Sequence, residues 1–96
     1  MSGTIEEETT LALENIAAVL KTAGASLADI VRCGVFLADL SDFAVMNAAY
    51  ERILPKPLPA RTTVGATLPL GIKVEIDCVA VLGRDENVLA SSGATA

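Results

Sequence analysis

The sequence predicts an α+β domain in which two amphipathic helices cover one face of a small β-sheet. Apolar residues recur at helical spacing in two segments, while three other segments are rich in β-branched residues or alternate between apolar and polar side chains. The order along the chain is helix, strand, helix, strand, strand. Because two helices cover only one face of such a sheet, the other face needs a second cover, and a symmetric oligomer would supply it.

The first helix is predicted to span residues 5–23. Thr4 and Glu7 have the spacing of a capping box, and the acidic run at 6–8 places negative charge on the first turn, where the helix dipole favours it. Gly24 follows the last apolar residue of the stripe. It is therefore the residue expected just beyond the end of the helix.

A buried strand and a second helix are predicted next. A short capped turn at 26–29 leads into residues 30–38, which are rich in Val, Ile and Phe and predict the strand. Ser41 is the expected N-cap of the second helix, with Leu40 as the residue of a hydrophobic staple. This helix must end before Pro55, which cannot continue it.

The remaining strands are predicted to form a hairpin. Residues 61–68 alternate as a strand, Pro-Leu-Gly at 69–71 forms a turn, and residues 72–82 form a long returning strand. The polar, small residues that follow predict a frayed tail. We therefore divide the chain into one domain at 1–83 and a flexible tail at 84–96.

The composition limits the classes of function that this protein can have. A chain of 96 residues makes one domain, yet 52% of its residues are hydrophobic and its mean hydropathy is +0.53, so part of its apolar surface is expected to face another copy. The net charge of −5 and the seven Lys and Arg residues give no basic stripe for nucleic acid. No apolar run is long enough to span a bilayer and the N-terminus is acidic, which predicts a cytoplasmic protein without a membrane partner.

The absence of histidine narrows the chemistry further. It removes His-based triads, Cys-His pairs and HExxH zinc sites, and no glycine-rich phosphate loop is present. Cys33 and Cys78 lie in apolar runs without CxxC spacing, which favours buried thiols over a disulfide or a metal site. We therefore expect neither metal nor cofactor, and any chemistry must come from carboxylates, Arg, Lys, hydroxyls, thiols or backbone amides.

The predicted hairpin carries charges in its most apolar part. Glu75 points away from the core face of its strand, and Arg61 shares a face with Thr63, but the register that would relate the two faces is not fixed by sequence. The pattern alone leaves an ion pair between Arg61 and Glu75, or a solvated face, as the simpler interpretation. Asn47 on the helical stripe is likewise more often a satisfied, half-buried amide than a ligand group. Three further expectations are a solvent-facing Lys73, a solvent-facing Asp77 and a core Tyr50.

Three segments carry a resemblance to a known family: LENIAAVLKTAGASLADIV, FAVMNAAY, and PARTTV followed by VEID. Together they resemble the reactive-intermediate deaminase family, also called YjgF-like or Rid proteins, and the resemblance runs from about residue 6 to residue 82. It implies a chorismate-mutase-like fold, with two helices on one face of a small mixed sheet, three copies in a trimer, and ligand pockets between subunits. Family members have an N-terminal pair of strands before the first helix, which this chain is expected to lack.

The resemblance also implies an activity. Family members hydrolyse reactive 2-enamino and 2-imino acids to 2-oxo acids and ammonia without a cofactor. Arg61, after Pro-Ala, matches the arginine that binds the substrate carboxylate, and Glu75 of VEID matches the glutamate that holds or activates the attacking water. Asn47 matches an asparagine near the pocket, and Thr63 stands where a cysteine is often found. The predicted catalytic residues are thus Arg61 and Glu75, and the predicted substrate-binding residues are Arg61, Asn47 and Thr63. The alternative is a trimer of the same fold that binds small carboxylates without turning them over, or that has a structural role.

Overall fold

Two helices pack on one face of a four-stranded sheet in the computed structural model, which describes residues 3–82 and, as backbone, residues 86–93. The helices and strands, in chain order, are α1 (Ile5–Thr22), β1 (Ile30–Leu37), α2 (Phe43–Ile53), β2 (Ala60–Gly65), β3 (Val74–Leu82) and β4 (Glu86–Gly93). The predicted α+β class and the helices on one face are confirmed.

The sheet order is β2-β1-β3-β4, so the predicted hairpin between β2 and β3 is wrong. β1 lies between them, parallel to β2 and antiparallel to β3, which makes the sheet mixed. Local alternation marked both strands correctly, but strand pairing depends on long-range contacts that a turn sequence does not specify. The parallel pair is joined through α2, the usual crossover for parallel neighbours.

The segment after β3 contains a strand that the sequence analysis missed. β4 pairs antiparallel with β3 from Leu82 opposite Glu86 to Glu75 opposite Gly93. The expectation of a frayed segment is therefore wrong for the backbone of 86–93. Its small, polar composition resembles a linker, and β3 supplies the hydrogen-bonding partners that composition does not reveal. The division into a domain and a tail stays a prediction, and residues 83–85 and 94–96 lie outside the described residues.

The helix ends follow the predicted capping chemistry in one case and depart from it in the other. Thr4 and Glu7 form the predicted capping box on α1, with Thr4 Oγ1 accepting from the Glu7 amide at 3.1 Å. A 3₁₀ turn at Leu40–Asp42 precedes α2, and Asp39 caps that turn by accepting from the Ser41 amide at 2.9 Å. Ser41 as the N-cap of α2 is therefore wrong, because the extra turn moves the start of the helix to Phe43.

The core lies between the helices and the covered face of the sheet. β1 and β3 contribute alternate residues to it, and both Cys33 and Cys78 are buried there, as predicted. The largest fully buried apolar side chains are Tyr50, Leu13, Ile16, Leu20, Leu37, Met46, Ile76, Val35 and Val74. Within the described part of the chain, no helix is both long and apolar enough to cross a bilayer.

Lys73 and Asp77, both expected to face solvent, make specific contacts with neighbouring elements. Glu8 on α1 is 1% exposed and accepts from the Lys73 backbone amide at 2.7 Å and from Lys73 Nζ at 3.4 Å. Asp77 is half-buried and accepts from the Gly34 amide at 3.1 Å. The Lys73 side chain is 41% exposed, so the prediction that it faces solvent is confirmed. The same prediction for Asp77 is wrong, because β1 brings the Gly34 backbone amide against its carboxylate.

The opposite face of the sheet has no helix over it among the described elements. It carries Arg32, Gly34 and Phe36 of β1, whose neighbours in register are Thr62 of β2 and Glu75 of β3 on either side. We call this the open face. It mixes charged, polar and apolar side chains, as the alternation of the last predicted strand indicated.

Candidate functional site

Arg61 projects from the first part of β2 onto the helix-covered side of the sheet. Its register partner on β1 is Cys33, which is buried on that side. The guanidinium Cζ lies 4.8 Å from the ring centroid of Tyr50 and 5.3 Å from that of Phe43, both on α2. Two aromatic rings therefore fix the cation by cation–π contact at the edge of the sheet.

Asn47 holds the same guanidinium by a hydrogen bond. Arg61 Nη1 donates to Asn47 Oδ1 at 2.5 Å, and Asn47 Nδ2 donates to Glu51 Oε2 at 3.0 Å. Phe43, Asn47 and Glu51 are spaced four residues apart on α2, so they lie on one face of that helix. The structure thus brings together Arg61 and Asn47, two of the predicted site residues.

Tyr50 forms the buried floor of this cluster. Its side chain is 1% exposed, and burial, with the Cys33 side chain beside it, raises the pKa of its phenol well above the usual value. Burial likewise raises the pKa of the Cys33 thiol, against a smaller opposing effect of Tyr50. Both groups are therefore neutral at physiological pH, and Arg61 is the charged group above them.

Thr63 lies two residues beyond Arg61 on the same side of β2, paired in register with Val35. Its Oγ1 is buried, and the structure gives it no hydrogen-bond partner within the described part of the chain. A buried hydroxyl without a partner is unusual. Its role as a substrate-binding residue stays a prediction.

Glu75 lies on the other face of the sheet. Its register partner on β1 is Phe36, three residues from Cys33, and odd spacing along a strand places two side chains on opposite faces. Arg61 is therefore on the covered side and Glu75 on the open face of the same chain. The sequence could not relate the two faces, because the register runs through β1 rather than through a hairpin.

Two cavities lined by described residues lie away from this cluster. One of about 280 Å³ is bounded by the proline connector and by Leu27 and Ile30, and one of about 540 Å³ lies between Ala17, Ala25 and Ile53. Neither has Arg61 or Glu75 in its wall. Among the residues that the structure describes, no group of three or more Cys, Asp or Glu side chains is placed to hold a metal ion.

The contacts of Phe43, Tyr50 and Glu51 in this cluster were not predicted from the sequence. The available signal was spacing, since these residues stand three or four positions from Asn47 on the helix. Tyr50 was correctly predicted to be a core residue. Its ring contact with Arg61 depends on how α2 packs across β2, which sequence does not specify.

Comparison with known proteins identifies the family. The model of the family described as Endoribonuclease L-PSP matches residues 1–82. Among curated relatives, Reactive Intermediate Deaminase A, chloroplastic, of Arabidopsis thaliana is 41% identical over 83 residues, covering 85% of this chain and 44% of the relative. The chain belongs to the reactive-intermediate deaminase family.

Two further relatives support this membership of the reactive-intermediate deaminase family. Protein mmf2, mitochondrial, of Schizosaccharomyces pombe is 52% identical over 82 residues, covering 81% of this chain and 65% of the relative. The 2-iminobutanoate/2-iminopropanoate deaminase of Dermatophagoides farinae is 35% identical over 83 residues, covering 85% of this chain and 65% of the relative. The chain thus spans between 44% and 65% of the length of these three relatives.

Solved structures of the reactive-intermediate deaminase family share the fold. RidA from the Antarctic bacterium Psychrobacter sp. PAMC 21119 superposes with a TM-score of 0.80 at 40% identity, covering 85% of this chain and 67% of that one. Escherichia coli TdcF with bound serine gives a TM-score of 0.80 at 32% identity, covering 86% and 68%. The fold predicted from the resemblance is confirmed by these superpositions.

Proposed function

We propose that this chain contributes to a cofactor-free hydrolytic deaminase of reactive 2-enamino and 2-imino acids, with pockets between the subunits of a homotrimer. The observation that carries the proposal is the setting of Arg61. Its guanidinium is held by two rings and one amide oxygen, and among the described residues it has no carboxylate partner. A half-buried, immobilised cation of this kind fits an external carboxylate.

Arg61 would bind the substrate carboxylate. A guanidinium has five N–H donors, and Asn47 takes up one of them, so a pair of parallel donors is left for bidentate contact with a carboxylate. The stacked rings restrict rotation of the guanidinium plane, which lowers the entropy lost when the substrate binds.

Glu75 would act on the attacking water. Its carboxylate accepts a proton from water as the water oxygen bonds to C2 of the iminium form of the substrate, giving a neutral carbinolamine. Glu75 then returns that proton to the nitrogen. As the C–N bond breaks, the carbinolamine hydroxyl becomes the C2 carbonyl and its proton passes through Glu75 to the departing ammonia, which leaves as ammonium. One water is consumed for each ammonia released, and no oxidant, metal or organic cofactor enters the balance.

The opposite faces of Arg61 and Glu75 support a pocket between subunits. Since one chain places them on different sides of its sheet, a pocket that uses both needs groups from neighbouring copies. The open face and the 52% hydrophobic composition favour such packing. Light scattering tests it, and a stable 9.9 kDa monomer at micromolar concentration would contradict the intersubunit pocket.

The relatives add support for the substrate class. The Dermatophagoides farinae relative is named for deamination of 2-iminobutanoate and 2-iminopropanoate, both small 2-imino acids. The TdcF structure contains serine, a small molecule with a carboxylate. Both ligand classes present the anionic group that Arg61 would bind.

Binding without turnover is the second candidate function. It is favoured by the same separation of faces, because Arg61 and Asn47 form their cluster within one chain while Glu75 is outside it. In that case the chain would hold small carboxylates and leave the imine intact.

The deciding assay measures ammonia release from 2-aminoacrylate made in place by a pyridoxal-phosphate lyase. We expect Arg61→Ala to lower kcat/KM by roughly 10²-fold or more, from the loss of charge-assisted hydrogen bonds. Glu75→Gln should lower kcat by about 10² to 10⁴-fold with little change in KM. Arg52→Ala and Glu14→Gln are matched controls at exposed positions and should retain the wild-type rate.

Two outcomes separate the candidates. A wild-type rate equal to the spontaneous reaction, with pyruvate still bound, would reject the enzyme and leave the binding protein. Pyruvate binding that survives Arg61→Ala would reject the pocket. The cytoplasmic location also stays a prediction, and microscopy of the tagged chain against cytosolic and mitochondrial markers would test it.

A further inference from the structure

We propose that Glu51 is a positioning residue, which sets the orientation of the Asn47 amide so that its oxygen faces Arg61. The inference deepens the proposed function, because it assigns a role in preparing the carboxylate-binding cation. Neither Glu51 nor its contact with Asn47 was expected from the sequence.

The direction of each hydrogen bond in this cluster is fixed by which atoms can donate. An asparagine side chain has a carbonyl oxygen that only accepts and an NH₂ group that only donates. Arg61 can only donate and an ionised Glu51 can only accept, and Asn47 lies between them with contacts of 2.5 Å and 3.0 Å. Only one of the two amide orientations satisfies both neighbours, so Glu51 selects the orientation that Arg61 needs.

The helix supplies the spacing for this chain of contacts. Asn47 and Glu51 are separated by four residues on α2, a distance at which helical side chains meet, and Phe43 is four residues before Asn47. Phe43 and Tyr50 restrain the plane of the guanidinium, while the Asn47 oxygen restrains its rotation within that plane. Removing the amide contact would therefore leave the cation stacked but free to turn.

This arrangement changes the role assigned to Asn47. Its oxygen accepts from Arg61 and its NH₂ donates to Glu51, so both ends of the amide are engaged within the chain. Asn47 would then act on a carboxylate ligand through Arg61 instead of contacting the ligand itself. A substitution at Glu51 distinguishes this indirect role from the predicted direct contact between Asn47 and the substrate. Only the indirect role requires that such a substitution change the order of the Arg61 side chain.

The sharpest substitution reverses the hydrogen-bonding character of position 51. Glu51→Lys offers a donor where the amide NH₂ needs an acceptor, which favours the flipped amide and turns its NH₂ towards Arg61. Glu51→Gln keeps an acceptor oxygen and should behave like the wild type. In the double variant N47D/E51K, a carboxylate at position 47 accepts from both cations, so it should restore the restraint on Arg61.

The first measurement needs no ligand. The ¹⁵N relaxation of the Arg61 Nε–Hε group reports its order on the ps–ns timescale. We expect a clear loss of order in Glu51→Lys, wild-type order in Glu51→Gln, and recovery in N47D/E51K. Glu14→Lys makes the same charge change at an exposed position of α1 and should leave Arg61 unaffected. Wild-type order of Arg61 in Glu51→Lys would overturn the inference.

The second measurement is pyruvate affinity by calorimetry or ligand-observed NMR. A simple charge effect predicts that Glu51→Lys binds this anion more tightly, because the variant is more positive. The positioning role predicts the opposite, a roughly tenfold weaker Kd, equivalent to about 1.4 kcal/mol. Tighter binding in Glu51→Lys would overturn the inference. If the wild type binds no carboxylate, the proposed function fails, while the relaxation measurement still decides whether Glu51 positions Arg61.

Discussion

Replacing Glu8 should destabilise the protein far more than replacing any exposed glutamate of α1. Its carboxylate is 1% exposed and accepts the Lys73 backbone N–H at 2.7 Å, at the entry to the strand that carries Glu75. In Glu8→Ala that N–H loses its acceptor inside the protein. The substitution does not destabilise helix α1 itself, since alanine has the highest helix propensity.

The magnitude follows from the two contacts. A hydrogen bond to a charged group contributes about 1.5–3 kcal/mol, and a buried N–H without a partner costs about 1–3 kcal/mol. The Lys73 Nζ contact at 3.4 Å adds little, because the Lys73 side chain is 41% exposed and solvent screens the pair. We expect a loss of about 3 kcal/mol for Glu8→Ala. Glu8→Gln keeps an oxygen for the N–H and should lose about half as much.

Thermal unfolding at fixed protein concentration measures the effect. For a domain of this size, about 3 kcal/mol corresponds to a Tm lower by roughly 12–24 °C. Glu14→Ala is the matched control, since Glu14 is exposed on the same helix. A Glu8→Ala variant with the Tm of Glu14→Ala would refute the assignment of Glu8 as a structural acceptor.

Two further predictions concern the covered and open faces of the sheet. Burial raises the pKa of Cys33 above its ordinary 9.0 and the pKa of Tyr50 above its ordinary 10.0. At high pH these groups therefore ionise in the unfolded chain before they ionise in the folded one. Their contribution to the free energy of unfolding is complete below pH 9 and declines as the pH rises. Tyr50→Phe removes the buried hydroxyl that lies beside the Cys33 thiol. It should lower the free energy of unfolding by less than about 1 kcal/mol at pH 7 and reduce the decline above pH 10, as urea titrations at each pH would show. On the open face, Gly34→Ala would place its Cβ 2.5 Å from Asp77 Oδ1, displacing the acceptor of the Gly34 amide, and should cost about 1–3 kcal/mol. If the double variant G34A/D77A loses as much free energy of unfolding as the two single variants added together, the clash between the new Cβ and Asp77 is not the cause of the destabilisation by Gly34→Ala.

Local patterns were enough for most of the elements. The capping box at Thr4, the 3.6-residue stripes and the alternation in residues 74–82 each depend on neighbours along the chain, and the structure has them where they were predicted. Residue identity also pointed to Arg61 and Asn47, through the resemblance of PARTTV and FAVMNAAY to one family. The capping and periodicity depend on residues close together in the chain, and the site residues were identified from the sequence motifs that contain them.

Pairing and contact across the sheet were decided only by the tertiary structure. The placement of β1 between β2 and β3 replaced the predicted hairpin, and it put Arg61 and Glu75 on opposite faces. The segment 86–93 became a strand because β3 offered it an unpaired edge, although its own composition is typical of a loop.

The polar contacts between distant residues were likewise decided only by the tertiary structure. Glu8 with Lys73, and Glu51 with Asn47 and Arg61, join residues whose types are unremarkable alone. The sequence determined which residues could be helical, extended or charged, since propensity and periodicity act over a few positions. Which charges met, and on which face, was decided by the packing of α2 and β1, because hydrogen bonds form between groups that folding brings within about 3 Å, whatever their separation in the chain.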